Sequence, residues 1–198
     1  GYYSYDKGYT PEFKGIENFN GSIVHPQKWS EEVDYDNKKV VIIGSGATAV
    51  TLVPEIAKKA SKVTMLQRSP TYIVAYPDED MFSNILKAIL PSKLSYALTR
   101  FRNVLVQQWI YTQCRKFPKY MKKFLLNRIR EYLSDDEIKK NFTPSYNPWE
   151  QRMCLVPNGD FFLSIKENKA SVVTDEISNF TSNSIKLKSG KELDADLI

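Results

Sequence analysis

A short glycine-containing turn has the clearest chemical potential in the sequence. In VVIIGSGATAV, residues 40–50, a GxGxxA pattern follows a β-branched run directly and opens a helix-forming stretch. In that context Gly44 allows a tight turn, Gly46 lets a pyrophosphate approach the backbone, and Ala49 lets the helix pack closely on the strand. The N–H groups at the start of such a helix bind phosphates. The predicted pyrophosphate site comprises Gly44, Ser45, Gly46, Ala47, Thr48 and Ala49.

The residues after the second predicted strand indicate which dinucleotide this turn prefers. An NAD site usually has Asp or Glu about 20 residues past the glycines, where the carboxylate accepts the ribose hydroxyls. This chain has Gln67, Arg68 and Ser69 there. A guanidinium forms charge-assisted hydrogen bonds to a 2′-phosphate, and a serine hydroxyl adds a donor. The sequence therefore predicts NADPH binding. Without the upstream glycines, a solvated arginine at a strand end would be the better interpretation of Arg68.

The elements around the turn predict an α/β, Rossmann-like doubly wound sheet. Residues 40–43 are typical of a strand buried on both faces of a parallel sheet. A helix over 47–59 and a strand over 63–67 complete a βαβ unit. Pro54 removes one backbone donor inside that helix, which predicts a bend or a shortened first section. Further short strands are predicted at 171–174, 185–187, 192–193 and 197–198.

Composition and periodicity divide the chain into a linker, a nucleotide-binding domain and a helical insertion. Residues 1–38 are rich in Tyr, Gly, Pro and Asn, which indicates an irregular segment lying across a surface. The NADPH-binding domain is predicted to comprise residues 39–78 and 141–198. Between them, residues 79–140 show helical spacing and form the insertion.

The insertion carries the basic charge of the chain. Eleven Lys or Arg and no Asp or Glu lie between Met81 and Arg130, which leaves 17 basic against 23 acidic residues elsewhere. Such a patch usually marks a face that meets solvent, an acidic neighbour or an anionic surface. A solvated face is the favoured interpretation, while docking on another domain, self-association and weak contact with a membrane surface stay open. Helix packing, rather than a substrate cage, is predicted for Trp109, Tyr111, Phe117 and Tyr120.

The cysteine and histidine content restricts the chemistry further. Cys114 and Cys154 form no CxxC, and the single His25 cannot complete a zinc set with them, so no metal site is predicted. A reducing, cytoplasmic compartment is expected. We interpret His25 as fixing a loop through hydrogen bonds. The apolar runs are too short to cross a bilayer, and GYYSYDKGY lacks the basic-then-apolar order of a signal peptide.

A second motif connects the chain with a known family. Phe19, Gly21, His25 and Trp29 match FxGxxxHxxxW, the fingerprint of Baeyer-Villiger flavin-dependent monooxygenases, and Ser30 follows where that pattern usually has Pro or Asp. Six blocks of the sequence resemble the same family and follow one another in the order found there. They are GYYSYDKGYTPEF, HPQKW, VIIGSGATAVTLVPEIA, VTMLQRSPTYIV, YNPWEQRMCLVPNGDFF and the VVTDEI to SGKELDADLI tail. The chain therefore resembles the NADPH-binding domain of a class B flavoprotein monooxygenase.

The resemblance implies an activity and a catalytic residue. In that family the NADPH domain is inserted between two parts of an FAD domain of the same polypeptide. NADPH reduces FAD, and a peroxyflavin transfers one oxygen atom from O2 to a lipophilic ketone or a sulfur-containing small molecule. The order of blocks matches Arg152 to the arginine that stabilises the anionic peroxyflavin, a role that suits a permanently charged guanidinium. A structural ion pair is an equal alternative for Arg152. Gln151 stands where many relatives have a lysine that contacts the 2′-phosphate.

Two other interpretations follow from the same residues. In the first, the chain is a non-enzymatic module whose basic helices contact a membrane surface or nucleic acid. The monooxygenase interpretation, in contrast, predicts no nucleic-acid partner. In the second, it is a two-dinucleotide flavoprotein reductase, which is disfavoured because no redox-active CxxC is present. The chain stops at the apolar residues Leu197 and Ile198 and lacks an FAD-domain glycine fingerprint. We therefore expect a piece of a longer protein that by itself binds NADP weakly or moderately and turns over nothing.

Overall fold

The computed structural model describes residues 8–198, so the first seven residues of the predicted linker and of the GYYSYDKGYTPEF block lie outside it. The chain forms two compact units. Of the described residues, the first unit comprises 8–70 and Phe161–Ile198, and the second unit comprises Thr71–Asp160. In chain order the elements are β1 (Lys39–Ile43), α1 (Ala47–Ile56), β2 (Lys62–Gln67), β3 (Tyr72–Tyr76), α2 (Met81–Ile89), α3 (Ser92–Lys116), α4 (Pro118–Ile129), α5 (Asp135–Asn141), β4 (Met153–Pro157), α6 (Asp160–Lys166), β5 (Ala170–Thr174), β6 (Ile177–Phe180), β7 (Ser184–Leu187) and β8 (Glu192–Asp194).

A parallel sheet in the order β1–β2–β5 organises the first unit. Its central strand β2 is buried from Val63 to Gln67, as expected for a strand covered on both faces. The antiparallel strands β6, β7 and β8 form a second sheet, and both sheets contribute to one apolar core. That core contains Phe19, Val41, Leu66, Phe180, Ile185, Leu187, Leu193 and Ala195. The predicted α/β class with a parallel sheet is confirmed.

Helix α1 starts at the predicted residue, Ala47, and ends at Ile56, three residues before the predicted end at Lys59. Pro54 lies buried in its last turns, and the helix is continuous through it. The first section of the helix is therefore not shortened, and the alternative of a bend at Pro54 stays a prediction. A proline near a helix end costs only one backbone hydrogen bond, and the buried apolar face of α1 retains the segment as helix.

Strands β3 and β4 pair in parallel within the second unit, and α4 contacts β3. Residues 71–78 and 141–160 therefore cluster with the helices of the second unit. The physical reason is that β3 hydrogen-bonds only to β4 among the strands described, and not to the β1–β2–β5 sheet. Neither β3, β4 nor β6 is predicted by the sequence analysis.

The helices of the insertion are confirmed, with Pro91 directly before α3 and Pro118 at the first position of α4. Its aromatic residues are less buried than predicted. All four are exposed, and the packing prediction is wrong for Trp109, Phe117 and Tyr120. Tyr111 makes an edge-on contact with Trp149, with ring centroids 5.8 Å apart.

Residues 8–38, the described part of the segment before β1, are irregular apart from two short 3-10 helices, Ile16–Asn18 and Pro26–Lys28. It does more than lie across a surface, because Phe19 is buried and its ring packs edge-on against Phe180. Gly21 lies so close to the backbone of Asp196 that a Cβ there would come within 2.5 Å of its carbonyl oxygen. Two positions of the FxGxxxHxxxW pattern thus serve the fold of the first unit.

Candidate functional site

The turn between β1 and α1 has the geometry that phosphate binding requires. Gly44 has φ 124°, a conformation that side-chain-bearing residues rarely adopt, and its N–H donates to the carbonyl oxygen of Leu66 over 2.8 Å. Gly46 is extended and precedes α1 as its N-cap. A Cβ at either glycine would meet no atom within 4 Å. The space that a side chain would occupy at Gly44 or Gly46 is therefore open.

The first turn of α1 presents backbone donors to that space. No side chain caps the helix, and Gly46, Ala47 and Thr48 are exposed. The first N–H groups of a helix have no partner within it, and they carry its positive dipole end. Ala49 is buried, which agrees with its predicted role in close packing of helix on strand. Five of the six predicted residues therefore have a geometry that fits a pyrophosphate, and the sixth, Ser45, is half-buried between the two glycines.

At the end of β2, the three predicted residues differ in burial. Gln67 is 1% exposed, and its side-chain amide donates to the Thr174 hydroxyl over 2.8 Å. The N–H of Asp175 donates to the Gln67 carbonyl oxygen over 2.9 Å. Gln67 therefore ties β2 to β5. Arg68 and Ser69 are exposed beyond the end of the strand.

A carboxylate that the sequence analysis missed lies near Arg68. The bond from Lys188 to the Glu176 carboxylate, with N–O 2.5 Å, lowers the pKa of Glu176, and the charge of Arg68 lowers it further. Asp175 opposes this shift. Arg68 itself makes no ion pair with any residue in the range 8–198. The signal that could have identified Glu176 is its position just after β5, the strand beside β2 in the parallel sheet.

Arg152 lies just before β4 in the second unit and is exposed. Burial raises the pKa of the Cys154 thiol, and the positive charge of Arg152 opposes that rise. Arg152 forms no ion pair with any residue in the described part of the chain. The alternative interpretation, a structural ion pair, therefore has no partner among these residues.

His25 has the predicted local role. Its Nδ1 accepts from the Gln27 N–H over 3.2 Å and caps the second short 3-10 helix. Residues 8–198 contain no cluster of three His, Cys, Asp or Glu side chains suited to a metal ion. Of the helices in that range, none is both long and apolar enough to cross a bilayer.

Comparison with known proteins gives related sequences over the whole chain. It is 53% identical to the FAD-containing monooxygenase EthA of Mycobacterium tuberculosis (strain ATCC 25618 / H37Rv) over 200 residues, which is all of this chain and 41% of that protein. It is also 53% identical to the probable FAD-binding monooxygenase AlmA of Acinetobacter baylyi over 199 residues, or 40% of that protein. The chain thus spans about two fifths of these relatives.

Solved structures support the fold. A steroid monooxygenase bound to NADP aligns with a TM-score of 0.74 and 21% identity, covering 96% of this chain and 43% of that one. Cyclohexanone monooxygenase from Rhodococcus sp. Phi1 bound to NADP+ aligns at 0.70 with 16% identity, again over 96% and 43%. The sequence profile described as flavin-binding monooxygenase-like matches residues 1–142. The resemblance found in the motifs is confirmed: the chain belongs to the flavin-binding monooxygenase-like family.

Proposed function

We propose that this chain is the NADPH-binding part of an FAD-dependent monooxygenase that adds one oxygen atom from O2 to a lipophilic ketone, in a Baeyer-Villiger reaction, or to a sulfur centre. The observation that carries the proposal is the open glycine turn at the uncapped start of α1. Support for the flavin comes from the names of the relatives, and support for NADP from the names of the solved structures. When bound, NADPH supplies a hydride to the flavin, and the reduced flavin activates O2.

The pyrophosphate is held by the turn and the helix start. Backbone N–H groups from Gly46 to Ala49 donate to its oxygens, and the dipole of α1 adds a favourable field. The dipole comes from a helix of ten residues, and the buried Ala49 lets the start of this helix pack closely on the sheet. The donors are fixed by backbone geometry, so binding here costs little ordering of side chains.

The 2′-phosphate is held by Arg68 with Ser69. Because no residue of the described chain forms an ion pair with Arg68, its guanidinium is available for a bidentate contact. Glu176 is a carboxylate whose pKa the charge of Arg68 lowers, and its bond to Lys188 offsets part of its negative charge. We propose that Lys188 thereby keeps Arg68 available to the cofactor. Gln67 supports Arg68 indirectly by fixing the end of β2 to β5.

Arg152 provides a permanent positive charge for the oxygen-transfer site. It is exposed and unpaired among residues 8–198, as a residue must be if its charge is used by a group outside the described chain. A fixed guanidinium stabilises developing negative charge without titrating near neutral pH. The FAD domain of the same polypeptide is its proposed partner. The boundaries 39–78 and 141–198 for the NADPH-binding domain stay a prediction.

Thermal unfolding in the presence of cofactors tests this function. A ligand at 100 times its Kd stabilises the folded state by about 2.7 kcal/mol, so NADP+ should raise the Tm by several degrees, and NAD+ by less. Heparin serves as the polyanion control. Stabilisation by heparin with no response to either dinucleotide would favour the non-enzymatic basic module and overturn the proposal.

A further inference from the structure

The apolar face of α2 lies uncovered. Met81, Phe82, Ile85 and Ile89 recur at helical spacing, and all four are exposed, Met81 to 76% and Ile89 to 70%. No residue of α2 is buried. Exposed apolar faces of this kind mark sites of interaction with another surface.

A second apolar stripe follows one side of α3. Its members are Leu94, Leu98, Phe101, Leu105 and Trp109, all exposed. Their spacing of i, i+4, i+7, i+11 and i+15 places them on one face over about 22 Å of helix. The buried Cys114 lies on the opposite side by the same periodicity. The stripe is therefore not the face with which α3 packs into the second unit.

Contacts at the start of α2 tie the two helices together. Asp80 caps α2 by accepting from the Ser83 N–H, and its carboxylate pairs with Arg102 of α3 at 2.8 Å. The same guanidinium lies 4.7 Å from the centre of the Phe82 ring. The two apolar faces thus belong to one helical hairpin, Met81–Lys116, which we call the α2–α3 hairpin.

Cations dominate the charge around these faces, although Asp78, Glu79 and Asp80 directly precede α2 and Asp80 pairs with Arg102. The segment from Met81 to Arg130 holds eleven cations and no anion, and Lys87, Lys93 and Arg100 are exposed on the hairpin. A second copy of the chain would bring the same cations together, which opposes self-association. Nucleic acid would use the cations but leave the leucines, Phe101 and Trp109 in water. By helical periodicity Lys87, Lys93 and Arg100 lie on the sides of α2 and α3 away from the apolar residues. A cationic face on the other side of a helix from exposed Trp, Phe and Leu is typical of helices that lie in a membrane interface.

We propose that the α2–α3 hairpin docks on the surface of an anionic lipid bilayer. The apolar faces enter the region between headgroups and acyl chains, and the long side chains of the cations on the polar faces are attracted by the lipid phosphates. Neither helix is apolar enough to cross the bilayer, so the chain would lie on the membrane. This inference rests on the helices of the second unit and is independent of the dinucleotide site in the first unit.

Vesicle flotation tests the proposal with two lipid compositions, phosphatidylcholine alone and equal parts of phosphatidylcholine and phosphatidylglycerol. The protein should float with the anionic vesicles only. Raising NaCl from about 0.1 M to about 1 M should release it, because the Debye length falls from about 10 Å to about 3 Å. Failure to bind the anionic vesicles, or equal binding to both compositions, would overturn the proposal.

Two double variants and a matched control locate the contact. Each cation near an anionic surface strengthens binding roughly five-fold, so Lys93→Gln with Arg100→Gln should weaken binding roughly 30-fold. Phe101→Ser with Trp109→Ser should weaken it at least ~10-fold by removing inserted apolar area. The control, Lys186→Gln with Lys191→Gln, removes two exposed cations from the first unit and should change nothing.

The remaining outcomes are distinguishable. If the control weakens vesicle binding as much as the hairpin variants do, the attraction is general and the proposal is wrong. It is also wrong if the apolar double variant turns a dimer into a monomer in gel filtration while vesicle binding stays unchanged. Circular dichroism checks that each variant is folded. NADP+ affinity should stay at the wild-type value in all of them, which separates this proposal from the cofactor site.

Discussion

Arg68→Gln is the substitution that most sharply tests how the chain chooses its dinucleotide. Arg68 is exposed and free of ion pairs within the described residues, so removing it should leave the fold unchanged. Hydrogen bonds to charged groups contribute about 1.5–3 kcal/mol, and solvent exposure favours the lower part of that range. The expected loss of about 1.5–2 kcal/mol corresponds to an increase of about ten- to thirty-fold in the Kd for NADP+.

Isothermal titration calorimetry with NADP+ and NAD+ measures this effect directly. NAD+ lacks the 2′-phosphate, so its Kd should stay near the wild-type value, and the preference for NADP+ should disappear. Glu176→Gln should act in the opposite direction and tighten NADP+ binding, because it removes a negative charge that attracts the Arg68 guanidinium away from the cofactor. Arg100→Gln, an exposed arginine of the second unit, is the matched control and should change neither affinity. Equal losses for NADP+ and NAD+ in Arg68→Gln, or no loss for either, would refute the reasoning.

Three further predictions concern the turn, a buried hydroxyl and the cap of α2. Gly46→Val should abolish dinucleotide binding with little change in Tm, because its side chain enters open space that phosphates need; calorimetry and thermal unfolding check this. Burial raises the pKa of Tyr72 to about 12, so folding stability should fall as the pH rises from 10 through 12. Urea titrations should show a smaller fall in Tyr72→Phe. Burial alone would raise the pKa of Asp80, but the Ser83 N–H and Arg102 together lower it, so α2 should lose stability as the pH falls through that lowered value. Hydrogen exchange of α2 amides should detect this loss, and Arg102→Gln should reduce its pH dependence.

The dinucleotide turn could be predicted because its determinants are contiguous. A β-branched run, two glycines and an alanine specify the strand, the turn and the helix start through local conformational preference and burial alone. Structure and prediction agree on the residue at which α1 starts, Ala47. The predicted end of α1 lies three residues beyond the observed end, because the sequence from Ala57 to Lys59 continues the apolar and basic pattern of the helix.

The strands of the second unit could not be predicted in the same way. Tyr72 pairs with Met153, and such a distant partner leaves no trace in local periodicity. Glu176 was missed for a related reason, since its proximity to Arg68 depends on β5 lying beside β2. Helical spacing correctly identified the insertion, but periodicity shows only that a helix has an apolar face. Whether that face is covered, as it is not at Trp109, depends on tertiary packing.

A crystal structure of the chain with bound NADP+ tests the central claim most directly. The account predicts pyrophosphate oxygens within hydrogen-bond distance of the N–H groups at the start of α1, with the 2′-phosphate against the Arg68 guanidinium. Electron density for the dinucleotide at another surface, with the glycine turn holding only solvent at saturating cofactor, would contradict it.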